Sequence, residues 1–323
     1  MTGWYILKKL DFRRLCLIFV TQVDEFVLLQ ERLGDSVARD VVLAPYTTFN
    51  IGGPAKYFFE ANSPRQLLAA FDIASTNDIK HFLLGGGSNI LVSDEGFDGL
   101  VIRDDCRDWQ VGGNTISAQS GVWFDKLVDI AAEHSLTGLE FAAGIPGNVG
   151  GAIYGNAGAF GNSVADILES AVLYSPEGGI KIVGPDYFGF AYRHSRLKEL
   201  FEVVLSVRFR LKAGEKGRIT DKINEHREIR RAKHPDYRRE GCAGSVFKNI
   251  KEPELLPAGK LLEDAGAQGL KIGDAQVFEK HCNIIVNKGK AKASEVRQLA
   301  SQMQKLVNDK FNIMLEYEML TIN

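Results

Sequence analysis

The sequence predicts an α+β protein of two or three domains, and three observations lead to this prediction. The chain has 323 residues, a length that suits two or three domains. Short apolar runs typical of strands alternate with amphipathic segments typical of helices. A polar stretch with two glycines at 213–217 interrupts this alternation and indicates a linker.

The charge balance and the cysteine pattern exclude some classes of function. The chain has 39 Lys and Arg against 41 Asp and Glu, a formal net charge of −2. It therefore lacks the dominant polybasic surface that nucleic-acid binding needs, and we expect no nucleic-acid partner. The four cysteines form no CxxC pair and no cluster with histidine, so we expect no metal site and no disulfide framework.

The first 40 residues are predicted to be a variable leader. An apolar run at 15–20 follows basic residues, as in a signal peptide, but it is short and no small-residue cleavage site follows it. The run is also far below the ~20 apolar residues that span a bilayer. We therefore expect a cytoplasmic protein without a membrane span.

The next elements surround a glycine-rich loop. Asn62 or Ser63 can cap a helix that begins at Pro64. The apolar runs 81–84 and 90–92 are typical of strands, and the sequence between them is Gly-Gly-Gly-Ser-Asn. The pattern therefore predicts a strand, a glycine loop and a second strand.

The rest of the chain continues the alternation. A helix is predicted over 122–134, and strands of a mixed sheet over 171–174, 180–183 and 203–211. A basic helical segment follows the linker, Ser294 can cap a long helix, and the chain closes on a strand from 313 to 320. Together these elements divide the chain into a leader and three domains: 1–40, 41–102, 103–214 and 215–323.

Two glycine-rich loops are the first candidates for chemistry. Consecutive small residues at 85–87 allow backbone N–H groups to converge on an anion such as a diphosphate, although a tight turn without a ligand has the same pattern. The loop is neither a GxGxxG fingerprint nor a GK[ST] phosphate loop. A second stretch, 144–161, is rich in glycine and alanine, which core packing does not favour. The two loops together indicate one extended, dinucleotide-like ligand.

The motifs occur in an order that resembles one family. Thr-Thr-Phe-Asn-Ile-Gly-Gly-Pro-Ala at 47–55, the loops at 85–91 and 144–161, and Tyr-Arg-His-Ser at 192–195 come first. Ala-Gly-Ser-Val-Phe-Lys-Asn from position 243 and Leu-Glu-Tyr-Glu from position 315 follow. From about Tyr46 to the end, the chain resembles the UDP-N-acetylenolpyruvoylglucosamine reductases of peptidoglycan synthesis.

The resemblance implies a fold and a cofactor. The fold would be a two-subdomain FAD-binding module of the vanillyl-alcohol oxidase (PCMH) type, followed by a C-terminal α+β substrate-binding domain. Gly86, Gly87 and Ser88 stand where a histidine that tethers the flavin would be expected, which implies noncovalent FAD, with NADPH as reductant. The residues implied to hold FAD are Ile51, Gly52, Gly53, Gly85, Gly86, Gly87, Ser88, Asn89, Gly144, Ile145, Pro146, Gly147, Val149, Gly150, Gly151, Asn156, Ala157 and Gly158.

Three catalytic residues are implied in the same way. Ser245 would donate a proton to the substrate carbanion, although it could be an ordinary turn serine. Glu318 would stabilise the enol intermediate; Glu316 shares its strand face, and Glu318 is chosen by similarity to the family. Arg193 would face the substrate carboxylate, although it could be a surface arginine packed on Phe190.

The same comparison implies a set of substrate-binding residues and some departures from the family. Arg230, Lys233 and Asn249 would bind the sugar nucleotide, although the basic segment could be a solvated helix face. The departures, which affect substrate geometry, are Gly155, His234 and Ile250. The stretch 213–233 has no tyrosine, which favours the branch of the family without a tyrosine lid.

The activity implied is reduction of UDP-N-acetylglucosamine enolpyruvate to UDP-N-acetylmuramate. We expect the protein to be a monomer. Two alternatives stay open. One is another flavin enzyme of the same fold, such as a sugar or lactone oxidase that uses oxygen. The other is a catalytically inactive protein that binds a sugar nucleotide.

Overall fold

The computed structural model describes residues 24–251 and 255–323. The apolar run at 15–20, on which part of the leader prediction rests, lies outside these residues, as does Cys16. Among the residues described, no helix is long and apolar enough to cross a membrane.

The N-terminal unit is a four-stranded sheet with two helices. The strands follow the order β1-β2-β5-β3, in which β5 pairs in parallel with both β2 and β3, and β1 is antiparallel to β2. Of the two predicted helix caps, Ser63 is the one whose side chain accepts a hydrogen bond, from the Gln66 N–H. The elements are α1 Glu25–Leu33, β1 Ala38–Val42, β2 Pro54–Ala61, α2 Pro64–Thr76, β3 His81–Leu84, β4 Ile90–Val92 and β5 Phe97–Asp104.

The described part of the predicted leader belongs to this unit, which corrects the prediction. Leu29 on α1 and Val37 are buried in the same cluster as Phe59 and Leu67. Burial of these apolar side chains stabilises the segment against the sheet. The predicted boundary at 40/41 therefore falls inside strand β1, and the one at 102/103 falls inside β5.

The middle unit contains a five-stranded antiparallel sheet in the order β12-β11-β13-β7-β6. The predicted strands at 171–174, 180–183 and 203–211 lie in this sheet, which is antiparallel and not mixed. The elements are β6 Trp109–Gly112, β7 Thr115–Gln119, α3 Phe124–Glu133, β8 Leu136–Thr137, α4 Val149–Gly155, β9 Gly158–Ala159, β10 Asn162–Ser163, β11 Leu168–Ser175, β12 Gly179–Val183, β13 Val203–Arg210, β14 Lys212–Ala213 and α5 Lys216–Lys233.

Helix α5 packs on the middle unit, so the predicted boundary at 214/215 differs from the structure. Ile219 and Ile223 are buried in the same core as Phe124 and Phe209. They stand four residues apart and so share one face of an otherwise basic helix. The predicted linker at 213–217 overlaps the end of strand β14, which pairs with β8, and includes the start of α5.

The C-terminal unit has a small three-stranded sheet covered by a long helix. The core joins α6, α7 and the sheet through residues such as Leu262, Ile285, Leu299 and Met303. The elements are α6 Ala258–Asp264, β15 Lys271–Ile272, β16 Ala275–Val277, β17 Ile285–Asn287, α7 Ala293–Phe311 and β18 Leu320–Ile322.

Among the contacts that join the C-terminal unit to the N-terminal unit, two correct a prediction. The final strand is β18, which pairs in parallel with β4 and begins where the predicted strand at 313–320 ends. The N-terminus of α7 is capped by Asp94 and not by Ser294. The Asp94 carboxylate accepts hydrogen bonds from the N–H groups of Ala293 and Ser294, at 2.7 and 3.0 Å.

Candidate active site

The first glycine loop presents free donors to the site. It connects β3 to β4, and its five backbone N–H groups, Gly85 to Asn89, donate to no acceptor among the residues that the structure describes. Buried N–H groups are almost always paired in folded proteins, and Gly87 at the centre of this loop is buried. Their common lack of a partner therefore indicates a ligand with several acceptor oxygens.

Glycine is required in this loop because a second chain segment lies against it. A Cβ atom on Gly86 would lie 2.6 Å from the Cα of Gly147, and one on Gly85 would lie 2.5 Å from Oδ1 of Asn148. The Ser88 hydroxyl donates to the Pro146 carbonyl at 3.1 Å. The two glycine loops thus contact each other directly, so both can line the site of one extended ligand.

A cavity of about 240 Å³ opens beside the first loop. Its walls carry three arginines, Arg103, Arg107 and Arg238, together with the carboxylates of Asp104 and Asp105. Arg103 pairs with Glu60 at 2.9 Å, and Arg107 pairs with Asp105. Free N–H groups and guanidinium groups suit a diphosphate. The residues present therefore fit FAD. The sequence analysis missed the arginines, because nothing in the sequence brings the end of β5 and residue 238 together.

The second glycine loop forms a wall of the site, and most of its backbone N–H groups donate hydrogen bonds within the protein. The N–H of Gly144 donates to Asp125 at 2.7 Å, and the N–H of Gly150 donates to the Ser120 carbonyl at 2.8 Å. Asn148 caps helix α4 by accepting from the Gly151 N–H at 3.0 Å. Helix α4 contains the predicted cofactor residues Val149 to Gly151.

The remaining predicted cofactor residues surround these loops. Ile51 is buried, and the backbone N–H of Gly53 donates to the Ser93 carbonyl at 2.8 Å. Asn156 adopts a left-handed conformation, and its amide donates to the Ala191 carbonyl at 2.9 Å. The structure therefore places Asn156 next to the turn that carries Arg193.

Arg193 and Glu318 form an ion pair at the junction of the units. Nε of Arg193 lies 2.6 Å from Oε1 of Glu318, and Nη1 donates to the Gly158 carbonyl at 3.0 Å. The Glu318 side chain is 15% exposed, whereas that of Glu316 is 76% exposed and pairs with Lys248. Of the two candidate glutamates, Glu318 therefore faces the site.

Burial and charge act in opposite directions on Glu318. Burial raises the pKa of its carboxyl above the ordinary value, and the Arg193 guanidinium offsets only part of that rise. The ion pair with Arg193 therefore favours the ionised carboxylate against a larger opposing effect of burial. Lys198, which the sequence analysis missed, donates from Nζ to the Arg193 carbonyl at 2.7 Å and supports the turn.

Ser245 lies on a segment that pairs with the segment carrying Glu318. The N–H of Glu318 donates to the Val246 carbonyl at 2.8 Å, and Phe247 pairs with Tyr317. Ser245 follows Gly244, whose φ of +72° is in the left-handed region that favours glycine. The structure thus brings together Ser245, Glu318 and Arg193 from positions that are up to 125 residues apart.

The three predicted substrate residues have different surroundings. Arg230 is half-buried, and within the described residues its Nε is buried without a hydrogen-bond partner. Burial and the nearby Arg193 lower its pKa to about 10. Asn249 accepts from the Ala258 N–H at 3.0 Å, so its side-chain oxygen holds the start of α6, while Lys233 is exposed at the end of α5.

Comparison with known proteins places this site in a family. A model of the FAD binding domain matches residues 55–184, and a model of the UDP-N-acetylenolpyruvoylglucosamine reductase C-terminal domain matches residues 235–322. The reductase of that name from Caldicellulosiruptor bescii is 41% identical over 298 residues, which cover 91% of this chain and 93% of that protein. The chain belongs to the UDP-N-acetylenolpyruvoylglucosamine reductase family.

Other members agree with this assignment. The reductase from Carboxydothermus hydrogenoformans is 40% identical and covers 90% of this chain and 96% of that protein. The crystal structure of the reductase from Thermus caldophilus superposes with a TM-score of 0.76 at 33% identity, covering 89% of this chain and 99% of that one. The predicted family, fold class and cofactor FAD are confirmed. The roles of the site residues and the branch without a tyrosine lid stay predictions.

Proposed function

We propose that this member of the family reduces UDP-N-acetylglucosamine enolpyruvate to UDP-N-acetylmuramate, with NADPH as reductant. The observation that carries the proposal is the meeting of Arg193, Glu318 and the Ser245 segment beside two glycine loops that fit FAD. The names of the relatives support the substrate class. The elements that meet here come from all three units, so the site depends on the whole fold.

FAD would be held mainly by the first glycine loop and the wall of the second. The free N–H groups of Gly85 to Asn89 would bind the diphosphate, and Arg103, Arg107 and Arg238 would balance its charge. When bound, FAD supplies the redox chemistry by taking two electrons from NADPH and delivering them to the enolpyruvyl double bond. The protein then has to orient the substrate, stabilise charge and provide a proton.

Arg193 would bind the carboxylate of the enolpyruvyl group. A guanidinium presents a fork of donors that matches two carboxylate oxygens, and it holds negative charge as the enolate develops. The ion pair with Glu318 holds Nε of Arg193, and the hydrogen bond to the Gly158 carbonyl holds Nη1. The remaining donors are then directed toward the substrate.

Ser245 would protonate the carbon adjacent to the carboxylate. A hydroxyl can act as a general acid where its surroundings exclude water and hold it at the reacting atom. The hydrogen bond from the Glu318 N–H to the Val246 carbonyl places the serine within the same pair of segments as the ion pair. Glu318 would stabilise the enol intermediate from the opposite segment.

The diphosphate and sugar of the substrate would meet a group of cations. Within the described part of the chain, Arg230 has a buried Nε without a hydrogen-bond partner. Lys198 and Lys248 lie close enough to Glu318 to lower the pKa of its carboxyl. Lys233 and Asn249 would contribute at the rim. We further propose that the protein acts in the cytoplasm as a monomer and serves cell-wall synthesis, and thereby cell shape and division.

Anaerobic absorbance spectroscopy tests the proposed function. Purified protein should be yellow and should release FAD, not FMN, on heating or acidification. NADPH should bleach the flavin, and the enolpyruvyl substrate should restore its colour. UDP-N-acetylglucosamine, which lacks the double bond, is the control and should leave the reduced flavin bleached.

Three outcomes would contradict the proposal. Reoxidation by oxygen coupled to turnover of a free sugar indicates an oxidase. A colourless protein that binds the sugar nucleotide indicates an inactive binding protein. Flavin that stays with the denatured chain contradicts noncovalent binding.

A further inference from the structure

Asn283 is a buried polar residue that no part of the proposed chemistry uses. It lies two residues before β17, is 2% exposed, and makes three hydrogen bonds to one neighbouring segment. Its backbone carbonyl accepts from the Val246 N–H at 2.8 Å. Its side-chain Oδ1 accepts from the Phe247 N–H at 2.9 Å, and its Nδ2 donates to the Phe247 carbonyl at 2.8 Å.

This set of bonds fixes the backbone immediately after Ser245. The amide of Asn283 binds both the donor and the acceptor of Phe247, as a neighbouring strand would. Ser245 itself pairs with Ile284, the residue after Asn283. On the other side, the segment bonds to Glu318. The proton donor thus stands at the start of a segment that is held from two sides.

The Ser245 hydroxyl depends on this backbone for its position. Among the residues that the structure describes, its side chain has no hydrogen-bond partner. A side chain without a partner is placed by its Cα and its rotamer, so a shift of the backbone moves the hydroxyl directly. A displacement of about 1 Å can lower a catalytic rate by ~10²-fold.

We propose that Asn283 is a positioning residue that sets the place of the Ser245 hydroxyl by binding both backbone groups of Phe247. The inference rests on the proposed function, because it gives Asn283 a role only if Ser245 is the proton donor. Asparagine suits this role because its amide offers one acceptor and one donor at a fixed spacing. Aspartate keeps the size and the acceptor but places a second oxygen against the Phe247 carbonyl.

The test compares Asn283→Asp with Asn287→Asp. Asn287 is a matched control because it is also buried and also uses its side-chain amide, but it binds the Phe49 carbonyl and the N–H groups of Gly289 and Ala291. With FAD saturating, Asn283→Asp should slow single-turnover reoxidation by substrate by about 10–100-fold and raise its solvent deuterium isotope effect. Reduction by NADPH should stay near normal. Asn287→Asp should change neither half-reaction by more than a few-fold.

A double-mutant cycle with Ser245→Ala separates the possible causes. If Asn283 acts through Ser245, adding Asn283→Asp to Ser245→Ala should slow reoxidation no further. Additive losses, or equal losses in both half-reactions, would overturn the proposal. If Ser245→Ala alone has no effect, the proposed function fails before the positioning role is reached.

A second variant keeps the test decisive if Asn283→Asp does not fold. Asn283→Ser retains a single group that can donate or accept, and it should give a smaller loss in reoxidation with the same rise in isotope effect. Normal reoxidation by a folded Asn283→Ser protein, with no isotope effect beyond that of the unchanged chain, would also overturn the proposal.

Discussion

Arg193 and Glu318 form an ion pair, Nε to Oε1 at 2.6 Å, that joins a turn of the middle unit to the end of the chain. Arg193 has a φ of +54°, in the left-handed region, which costs a non-glycine residue about 1–2 kcal/mol. Its guanidinium also binds the Gly158 carbonyl. The pair therefore connects the second glycine loop to the C-terminal segment, and it compensates for a strained backbone at the place where charge is needed.

Replacing Arg193 by lysine should damage one half-reaction. Arg193→Lys keeps the charge but loses the planar fork that can bind Glu318, Gly158 and a substrate carboxylate at the same time. We expect reoxidation by substrate to slow by at least about 10-fold, while reduction by NADPH changes little. Stopped-flow absorbance of the flavin follows each half-reaction separately.

Arg196→Lys is the control for this substitution, because Arg196 lies in the same turn region and is exposed. It should leave both rates unchanged. If Arg193→Lys slowed both half-reactions equally, Arg193 would act on the fold or on NADPH and not on the substrate.

Substituting Gly86 should weaken FAD binding through the contact between the loops. In Gly86→Ala, the new Cβ would stand 2.6 Å from the Cα of Gly147, which is backbone and cannot rotate away. The loops must then separate, and the Kd for FAD should rise by at least about 10-fold, or about 1.4 kcal/mol. Fluorescence titration of the apoprotein with FAD measures this.

Gly155→Ala is the matched control, because a Cβ there would meet nothing within 4 Å. Its Kd for FAD should equal that of the unchanged chain. Equal affinities for all three proteins would show that the contact between Gly86 and Gly147 is not needed for the cofactor.

Local patterns explain what could be predicted from the sequence. The strands on either side of 85–89, the helix after Ser63 and the two glycine loops depend on neighbours within a few residues, so periodicity and capping predict them. The choice of Glu318 and Arg193 as site residues followed from the resemblance to the family, whereas their ion pair is seen only in the structure. Alternation along a strand alone could not separate Glu318 from Glu316.

Long-range contacts explain what could not be predicted. Helix α5 is so basic that its two buried isoleucines, Ile219 and Ile223, do not mark which core it joins. Asp94 caps α7 from about 200 residues earlier in the sequence. Local sequence could not reveal this contact, so Ser294 was the candidate N-cap that the pattern offered. Asn283 carries no sequence signal either, because an asparagine that binds backbone groups looks like any loop asparagine.

His234 should make the fold sensitive to acid. Burial, with a contribution from Arg230, lowers the pKa of this imidazole to about 4 from 6.5. In the unfolded chain the group takes up a proton near its ordinary pKa, whereas in the folded chain it stays neutral down to about 4. Stability is therefore present above about pH 6.5 and is lost as the pH falls toward 4.

His234→Gln should remove part of this loss. Between about pH 7.5 and about pH 5, its Tm should fall less than that of the unchanged chain. His134→Gln, at an exposed position after α3, should follow the unchanged chain. A His234→Gln protein whose Tm falls as steeply as the parent's would show that His234 is not the source. Burial also lowers the pKa of the neighbouring His281, which would then be the next residue to replace.

Replacing Ser245 by alanine should affect only protonation of the substrate. The hydroxyl has no task until a carbanion forms, so FAD content, Tm and reduction by NADPH should stay near normal. General acid catalysis typically contributes ~10²–10⁴-fold, and reoxidation by substrate should slow by that factor. The measurement is single-turnover reoxidation of pre-reduced protein under anaerobic conditions with substrate in excess.

Ser245→Cys provides the graded comparison, because a thiol can also donate a proton. It should retain part of the rate, so the order of rates should be serine, cysteine, alanine. Glu318 is the other group near this segment. Burial raises the pKa of its carboxyl, so it is the alternative proton donor, although the ion pair with Arg193 favours its ionised form. If Ser245→Ala reoxidised within a few-fold of the unchanged chain, the proton would have to come from water or Glu318. The glycine–serine turn would then serve only to bind the substrate.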